Sequence, residues 1–242
     1  MDTKNFLSAC LVVVLFFSTT LSAKSGRSSQ IISLSGDWEF SVAQPLIDIA
    51  PSRIGNRFDP PHLSPELTDV ISAEARKNPG TVLLENAKWQ PITIPAAWEQ
   101  KTGIDFNGAG YYRRTVNIPP EWVAEGKRIW LEFDAVATVA GVWFNNHWLG
   151  GNVGDYTRFR LEASSFARSG ANELLVYVDE LPGHITQGFL NMVAPHHGGI
   201  WQEVSMFATG PLAIDANGIY IQTTPATKEI NVDVRFNGNW MP

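Results

Sequence analysis

The sequence holds a single cysteine, Cys10, and it lies in the first apolar segment of the chain. The remainder has no thiol to form a disulfide or to ligate zinc, so stability has to come from an apolar core. Basic residues are also short: 18 Lys+Arg stand against 24 Asp+Glu, for a net charge of −6. That balance leaves no basic stripe for nucleic acid. No G-x-S-x-G elbow, P-loop or dinucleotide-binding glycine motif occurs, which removes the common serine-hydrolase, nucleotide and dinucleotide readings. No cofactor is expected.

The longest apolar run, from Phe6 to Phe17, falls short of the roughly 20 residues a spanning helix needs. Lys4 precedes it, polar Ser18 to Thr20 interrupt it, and Leu21-Ser22-Ala23 closes it. This order is that of a secretory signal peptide cut after Ala23, which would make the protein secreted or periplasmic, with no membrane segment after cleavage. Leu7-Ser8-Ala9-Cys10 imitates a lipoprotein acylation site, but its apolar segment follows the cysteine instead of preceding it. Cleavage would remove one acid, Asp2, and one base, Lys4, and so leave the net charge unchanged.

Beyond residue 23 the chain reads as short strands. Ile32, Leu34, Trp38 and Phe40 recur at even spacing with Gly36-Asp37 as an interruption, and WQPITIP, YYRRTVNI, RIWLEF, VATVAGVWFN, ELLVYV and WQEVSMF follow. Asn145-Asn146, Gly170-Ala171-Asn172 and Pro182-Gly183 supply the turns between them. Residues 44–86 are polar and proline-bearing, with one helical stretch at Ser64 to Lys77: Ser64 as N-cap, Pro65 at the first helical position, Leu67, Val70, Ile71 and Ala75 on one face. They are expected to form an insert across a β core. Eight or so short strands predict an all-β, two-sheet jelly-roll sandwich over residues 24–210. After Gly210-Pro211, IYIQTT and EINVDVRF predict a hairpin over residues 211–242, too little for a sandwich of about seven strands.

The histidines do not assemble a metal site. His196 and His197 are adjacent, so an extended chain points them to opposite sides, and His62, His147 and His184 stand at no ligand spacing. Carboxylate pairs would suit glycoside hydrolysis, and Glu99, Asp105, Glu132, Asp134, Asp179 and Glu180 are present. Each has a plainer explanation: Glu132 alternates outward in a strand, Asp134 ends one, and Asp179-Glu180 begins a turn. No catalytic or metal-binding residue is assigned. The nine tryptophans serve either a packed core or a surface that stacks on sugar rings.

LSGDWEF, WQPITIPAAWE, GAGYYRRTVNIP, RIWLEFDAVATVAGVWFNNHWLG, YTRFRLEAS, NELLVYVD and HGGIWQEVSMFATGP, in that order, resemble the N-terminal sugar-binding domain of family 2 glycoside hydrolases. That family includes β-galactosidases, β-glucuronidases and β-mannosidases. The resemblance spans Ile31 to Pro211, with the insert extra. It implies a galactose-binding-like jelly roll, then an immunoglobulin-like sandwich entered after Pro211, then a (β/α)8 barrel carrying both catalytic glutamates of a retaining mechanism. No residue of this chain corresponds to either glutamate.

The resemblance also gives the segment around His196 and His197 a context. Gly199 and Ile200 match the family's entry into a jelly-roll strand, with Trp201 at its aromatic position. In β-galactosidases and β-glucuronidases the preceding loop, here Leu181 to His197, reaches toward the sugar with an acidic residue six positions before that glycine. Val193 stands there in this chain, so that contact does not carry over. Asn191, His196 and His197 are the candidates to replace it, and a purely structural loop is the competing reading. Trp98, at a loop after a strand, is either a ligand-facing ring or a packed rim tryptophan. Tyr111, Tyr112 and Arg113 resemble a strand start with one aromatic inward and Arg paired to a carboxylate.

The implied partners are a β-linked carbohydrate and a C-terminal barrel of the same polypeptide. A free-standing carbohydrate-binding module and a purely structural sandwich are the alternatives, and burial of the tryptophans discriminates between them.

Overall fold

A computed structural model of the chain describes residues 9–11, 31–43, 77, 84, 87–102, 109–137, 139–179 and 197–238. In chain order the strands are β1 (Ala9–Leu11), β2 (Ile31–Ser33), β3 (Gly36–Ala43), β4 (Gln90–Ile94) and β5 (Ala109–Ile118). They continue as β6 (Arg128–Phe133), β7 (Val139–Phe144), β8 (His147–Val153), β9 (Phe159–Glu162), β10 (Gly170–Asp179) and β11 (Val204–Thr209). The last two are β12 (Leu212–Thr224) and β13 (Glu229–Gly238). Two short helices, α1 (Trp98–Thr102) and α2 (Pro120–Ala124), and a 3-10 turn at Ser164–Phe166 interrupt them. The insert and the predicted helix lie outside the described residues, apart from isolated positions.

Two compact units result, one of residues Ile31–Ala208 and one holding β1, β12 and β13. The larger unit is a two-sheet sandwich. One sheet has the order β4-β3-β5-β10-β7-β8 and the other β2-β11-β6-β9. Side chains alternate across a strand, and RIWLEF shows the consequence: Ile129, Leu131 and Phe133 are buried in the core while Arg128, Trp130 and Glu132 line the outer face. Trp38, Phe40, Tyr112, Val116, Val142, Leu174 and Val176 of the larger sheet meet Ile129, Leu131, Val204 and Met206 of the smaller one. Each such side chain contributes about 1.5–3 kcal/mol by leaving water.

The larger sheet is also covered on its other face. Tyr111, Trp143, Leu175 and Tyr177 form a second buried cluster with Trp89 and Trp148 packed against it. This explains why β7 is buried at every position and reads as a continuous apolar run. The pattern at Tyr111-Tyr112-Arg113 follows: Tyr112 enters the inter-sheet core, Tyr111 the outer cluster, and Arg113 pairs with Glu39 at 2.7 Å while lying over the Trp89 ring.

Asn145 and Asn146 take positive φ, 49° and 65°, as a two-residue hairpin between β7 and β8 requires. The Asn145 side chain is engaged with Phe166, Asn172 and Glu173, so the tip is turn chemistry throughout.

The smaller unit is a three-stranded sheet of order β1-β13-β12. Its hairpin is longer than the sequence pattern suggests, because β12 passes a register shift between Ile214 and Ile219. Ile214, Ile219 and Ile221 stand opposite Phe236, Val234 and Val232 on one face, and Tyr220 and Gln222 stand opposite Asp233 and Asn231 on the other. The apolar face is open: Ile219 is 54% exposed and Ile221 59%.

Candidate functional site

The described end of the loop that the sequence singles out, residues 197–201, is held from both sides. Its chain is extended, so successive backbone groups point in opposite directions. On one side the N–H of Trp98 donates to Gly198 O and the N–H of Ala96 to Ile200 O, both at 3.1 Å. On the other, Ala137 and Gly199 exchange a pair of hydrogen bonds at 3.1 and 3.2 Å. Glu99 adds a side-chain clasp: its Oε1 accepts the Gly198 N–H at 3.1 Å.

Gly199 is required here for two reasons. Its φ is +104°, and a Cβ would fall 2.5 Å from the Tyr112 hydroxyl oxygen. Tyr112 has no room to yield, being wholly buried against Phe40 and Trp38. Burial pushes its phenol far above the ordinary value, a backbone bond from Ile200 works against that rise, and the Glu99 charge adds to it. The second Glu99 oxygen, Oε2, and the Tyr112 hydroxyl are buried without a regular hydrogen bond among the described residues. Such atoms are the usual seats of ordered water.

On either side of this pinned stretch stand aromatic rings. His197 lies 5.3 Å from Trp201 at an interplanar angle of 78°, and Tyr156, from the turn between β8 and β9, lies 5.1 Å from Trp201 at 79°. The Trp201 indole N–H donates to Asp155 O at 2.9 Å, which fixes the ring. Tyr156 is 57% exposed, and His197 and Trp201 are half-buried.

A second polar group sits at the end of β10. Asp179 is fully buried, accepts the Tyr177 hydroxyl at 2.5 Å, and has no hydrogen-bond partner at Oδ1 among the described residues. Burial raises its carboxyl to about 6, against the opposing pull of that hydrogen bond. Burial also lifts the Tyr111 phenol, and the Asp179 charge lifts it further. Asp179 is thus the last residue of a strand, paired with Ala109 and Val139, and the turn expected at Asp179-Glu180 lies outside the described residues from Glu180 on. Two-residue alternation from Tyr177 was the available signal.

Of the four candidate sugar contacts, Asn191 and His196 lie outside the described residues. His197 stands in the aromatic cluster. Trp98 is corrected: its ring is wholly buried, 5.7 Å from Phe40, because α1 turns it into the core. A ring closed on all sides offers no face to a sugar. Trp38, Trp122 and Trp143 are also buried, and Trp89, Trp130, Trp148 and Trp201 are half-buried, so no described tryptophan forms an open platform. Among the described residues no group of three or more His, Cys, Asp or Glu is placed to hold a metal ion.

Two sheets of six and four strands enclosing one core define the jelly-roll class of β-sandwich. Residues 31–210 match the family described as "Glycosyl hydrolases family 2, sugar binding domain", and the chain belongs to that family. Over 161 residues it is 29% identical to a β-glucuronidase of Bacteroides fragilis, an alignment covering 60% of this chain and 22% of that protein. A β-galactosidase of Thermoanaerobacter pseudethanolicus is 26% identical over 148 residues, 52% of this chain and 19% of its own length. The solved β-glucuronidase of an uncultured Clostridium sp. superposes with a TM-score of 0.57 at 20% identity, covering 94% of this chain and 36% of that one. The chain therefore spans about a fifth of the length of the curated relatives it matches.

Proposed function

We propose that this chain is the N-terminal, non-catalytic portion of a longer secreted β-glycosidase. The whole polypeptide would hydrolyse a terminal β-linked sugar through a covalent glycosyl intermediate, with both catalytic carboxylates on a barrel beyond this chain. The observation that carries this reading is the family match over residues 31–210 within relatives several times longer. The open apolar face of the β12–β13 hairpin supports it. Apolar surface of that kind is stable when covered, and further strands of an immunoglobulin-like sandwich in the same polypeptide would cover it. A free-standing module would leave that face in water.

In this account residues 1–23 act as a signal peptide removed on export to the periplasm or the medium, which takes β1 away and leaves β12 and β13 as a hairpin. The sandwich buttresses the barrel and lends the loop ending at His197 to the sugar site. The chain by itself hydrolyses nothing. A panel of aryl β-glycosides incubated with purified chain tests this: no turnover above buffer is expected. Turnover abolished by replacing one carboxylate of this chain would overturn the reading.

A further inference from the structure

The third strand of the smaller sheet comes from the apolar leader segment: β1 pairs antiparallel with β13, Ala9 opposite Val234, Cys10 opposite Asp233 and Leu11 opposite Val232. On the other side of β13, β12 sets Ile219 opposite Val234, Tyr220 opposite Asp233 and Ile221 opposite Val232. The two registers align into rows across all three strands. Ala9, Val234 and Ile219 make one apolar row and Leu11, Val232 and Ile221 a second, with Cys10, Asp233 and Tyr220 between them. A slip of one residue would set Cys10 in an apolar row and Ala9 or Leu11 beside Asp233, so the register observed is the one that continues the apolar rows.

What β1 occupies is an edge. A strand edge presents a row of N–H and C=O groups that recruits another strand, and charged side chains are the usual defence against such addition. The run Phe6 to Phe17 contains no Asp, Glu, Lys or Arg, so nothing in it opposes pairing. At three residues β1 is also shorter than the usual strand of about 5–6. Few hydrogen bonds are lost when it leaves.

We propose that the uncleaved leader is a placeholder strand: it holds the β13 edge in the precursor, and removal of residues 1–23 frees that edge for a following strand of the same polypeptide. This rests on the signal-peptide and longer-chain readings above. It adds a coupling between them, because the second sandwich cannot use the β13 edge until the leader is gone.

Cys10 is the only cysteine of the chain, so a single introduced thiol has a single partner. The test is the full chain with Asp233→Cys, mildly oxidised when dilute and mapped by mass without reductant. Residues directly opposite in an antiparallel pair have Cα atoms about 4.5–5.5 Å apart, within the reach of a disulfide. Glu229→Cys is the register control, four residues and roughly 14 Å further along β13. The expected result is an intramolecular disulfide to Cys10 in Asp233→Cys, at several times the yield in Glu229→Cys. Equal yields, or linkage between chains only, overturn the pairing.

Hydrogen exchange at Val232 to Val234 is the second measurement. Successive amides of a strand point to opposite sides, so Ala9→Pro with Cys10→Pro removes one donor that faces β13. Exchange should accelerate in that double variant of the full chain and be slow again in the mature natural polypeptide, where the following strand has taken the edge. Unchanged exchange in the proline variant, or fast exchange in the mature polypeptide, overturns the placeholder. Neither result touches the longer-chain reading, which fails if the natural polypeptide is no larger than this chain, or the signal-peptide reading, which fails if that polypeptide still begins at Met1.

Discussion

Glu99 Oε1 accepts the backbone N–H of Gly198 at 3.1 Å and so ties the first turn of α1 to the far end of the loop that begins after β10. Glu99→Ala would leave that N–H without its partner in a part-buried site, at a cost of about 1–3 kcal/mol. Glu99→Gln keeps an acceptor oxygen and should lose less than half as much. Urea unfolding gives both values, and hydrogen exchange at the Gly198 amide should accelerate in the Ala variant only.

Gly199→Ala is expected to be more damaging. It combines a φ of +104° with a Cβ 2.5 Å from the Tyr112 hydroxyl, and backbone strain with overpacking together predict about 2–4 kcal/mol. Tyr112→Phe in the same chain relieves the contact and leaves the φ strain. The double variant should therefore recover part of the loss relative to Gly199→Ala, measured by the midpoint of denaturation.

The Asp179 carboxyl titrates in the folded chain near 6, above the ordinary 3.8. A folded value above the unfolded one means that the fold favours the protonated form. Stability is then fully present below pH 3.8 as far as this group is concerned, and is lost as pH rises through about 6. The loss is on the order of 3 kcal/mol. Asp179→Asn cannot ionise, so its Tm should be flatter between pH 4 and pH 7, and the gap between variant and wild type should move in the variant's favour as pH rises. Parallel Tm curves for the two proteins would show that Asp179 is charged throughout.

Trp98 packs against Phe40 with no exposure. Trp98→Ala should cost about 3–5 kcal/mol through lost burial and the cavity left behind. Its effect on sugar binding at subdenaturing temperature should be nil, which separates a core tryptophan from a ligand contact.

Alternation made most of the sandwich legible. RIWLEF announces which side chains face the core, whereas β10 is buried on both faces from Leu174 to Asp179 and alternation there does not separate core from surface. The two helices were not legible, since five residues hold little more than one turn of 3.6-residue periodicity. Pro120 at the helix start and buried Trp122 were the only local signs of α2.

The site was less legible than the fold. The end of a strand just before Trp98 left it either ligand-facing or packed, and the orientation of α1, which turns its ring inward, takes the packed alternative. Tyr156 escaped notice because its partners, His197 and Trp201, lie more than forty residues away in the chain. Asp179 was visible as a carboxylate after an apolar run, but its burial depends on Ala109 and Val139 across the sheet, which alternation along one strand does not contain.

The central claim is that this sandwich works as the leading part of a larger glycosidase. Its most direct test is the intact mass of the natural polypeptide purified from its source cells, set against the 26.7 kDa of this chain. The account predicts a product several times larger that hydrolyses a β-glycoside and begins after Ala23. A product at or slightly below the mass of this chain would contradict it and would make glycan binding, without hydrolysis, the whole of the function.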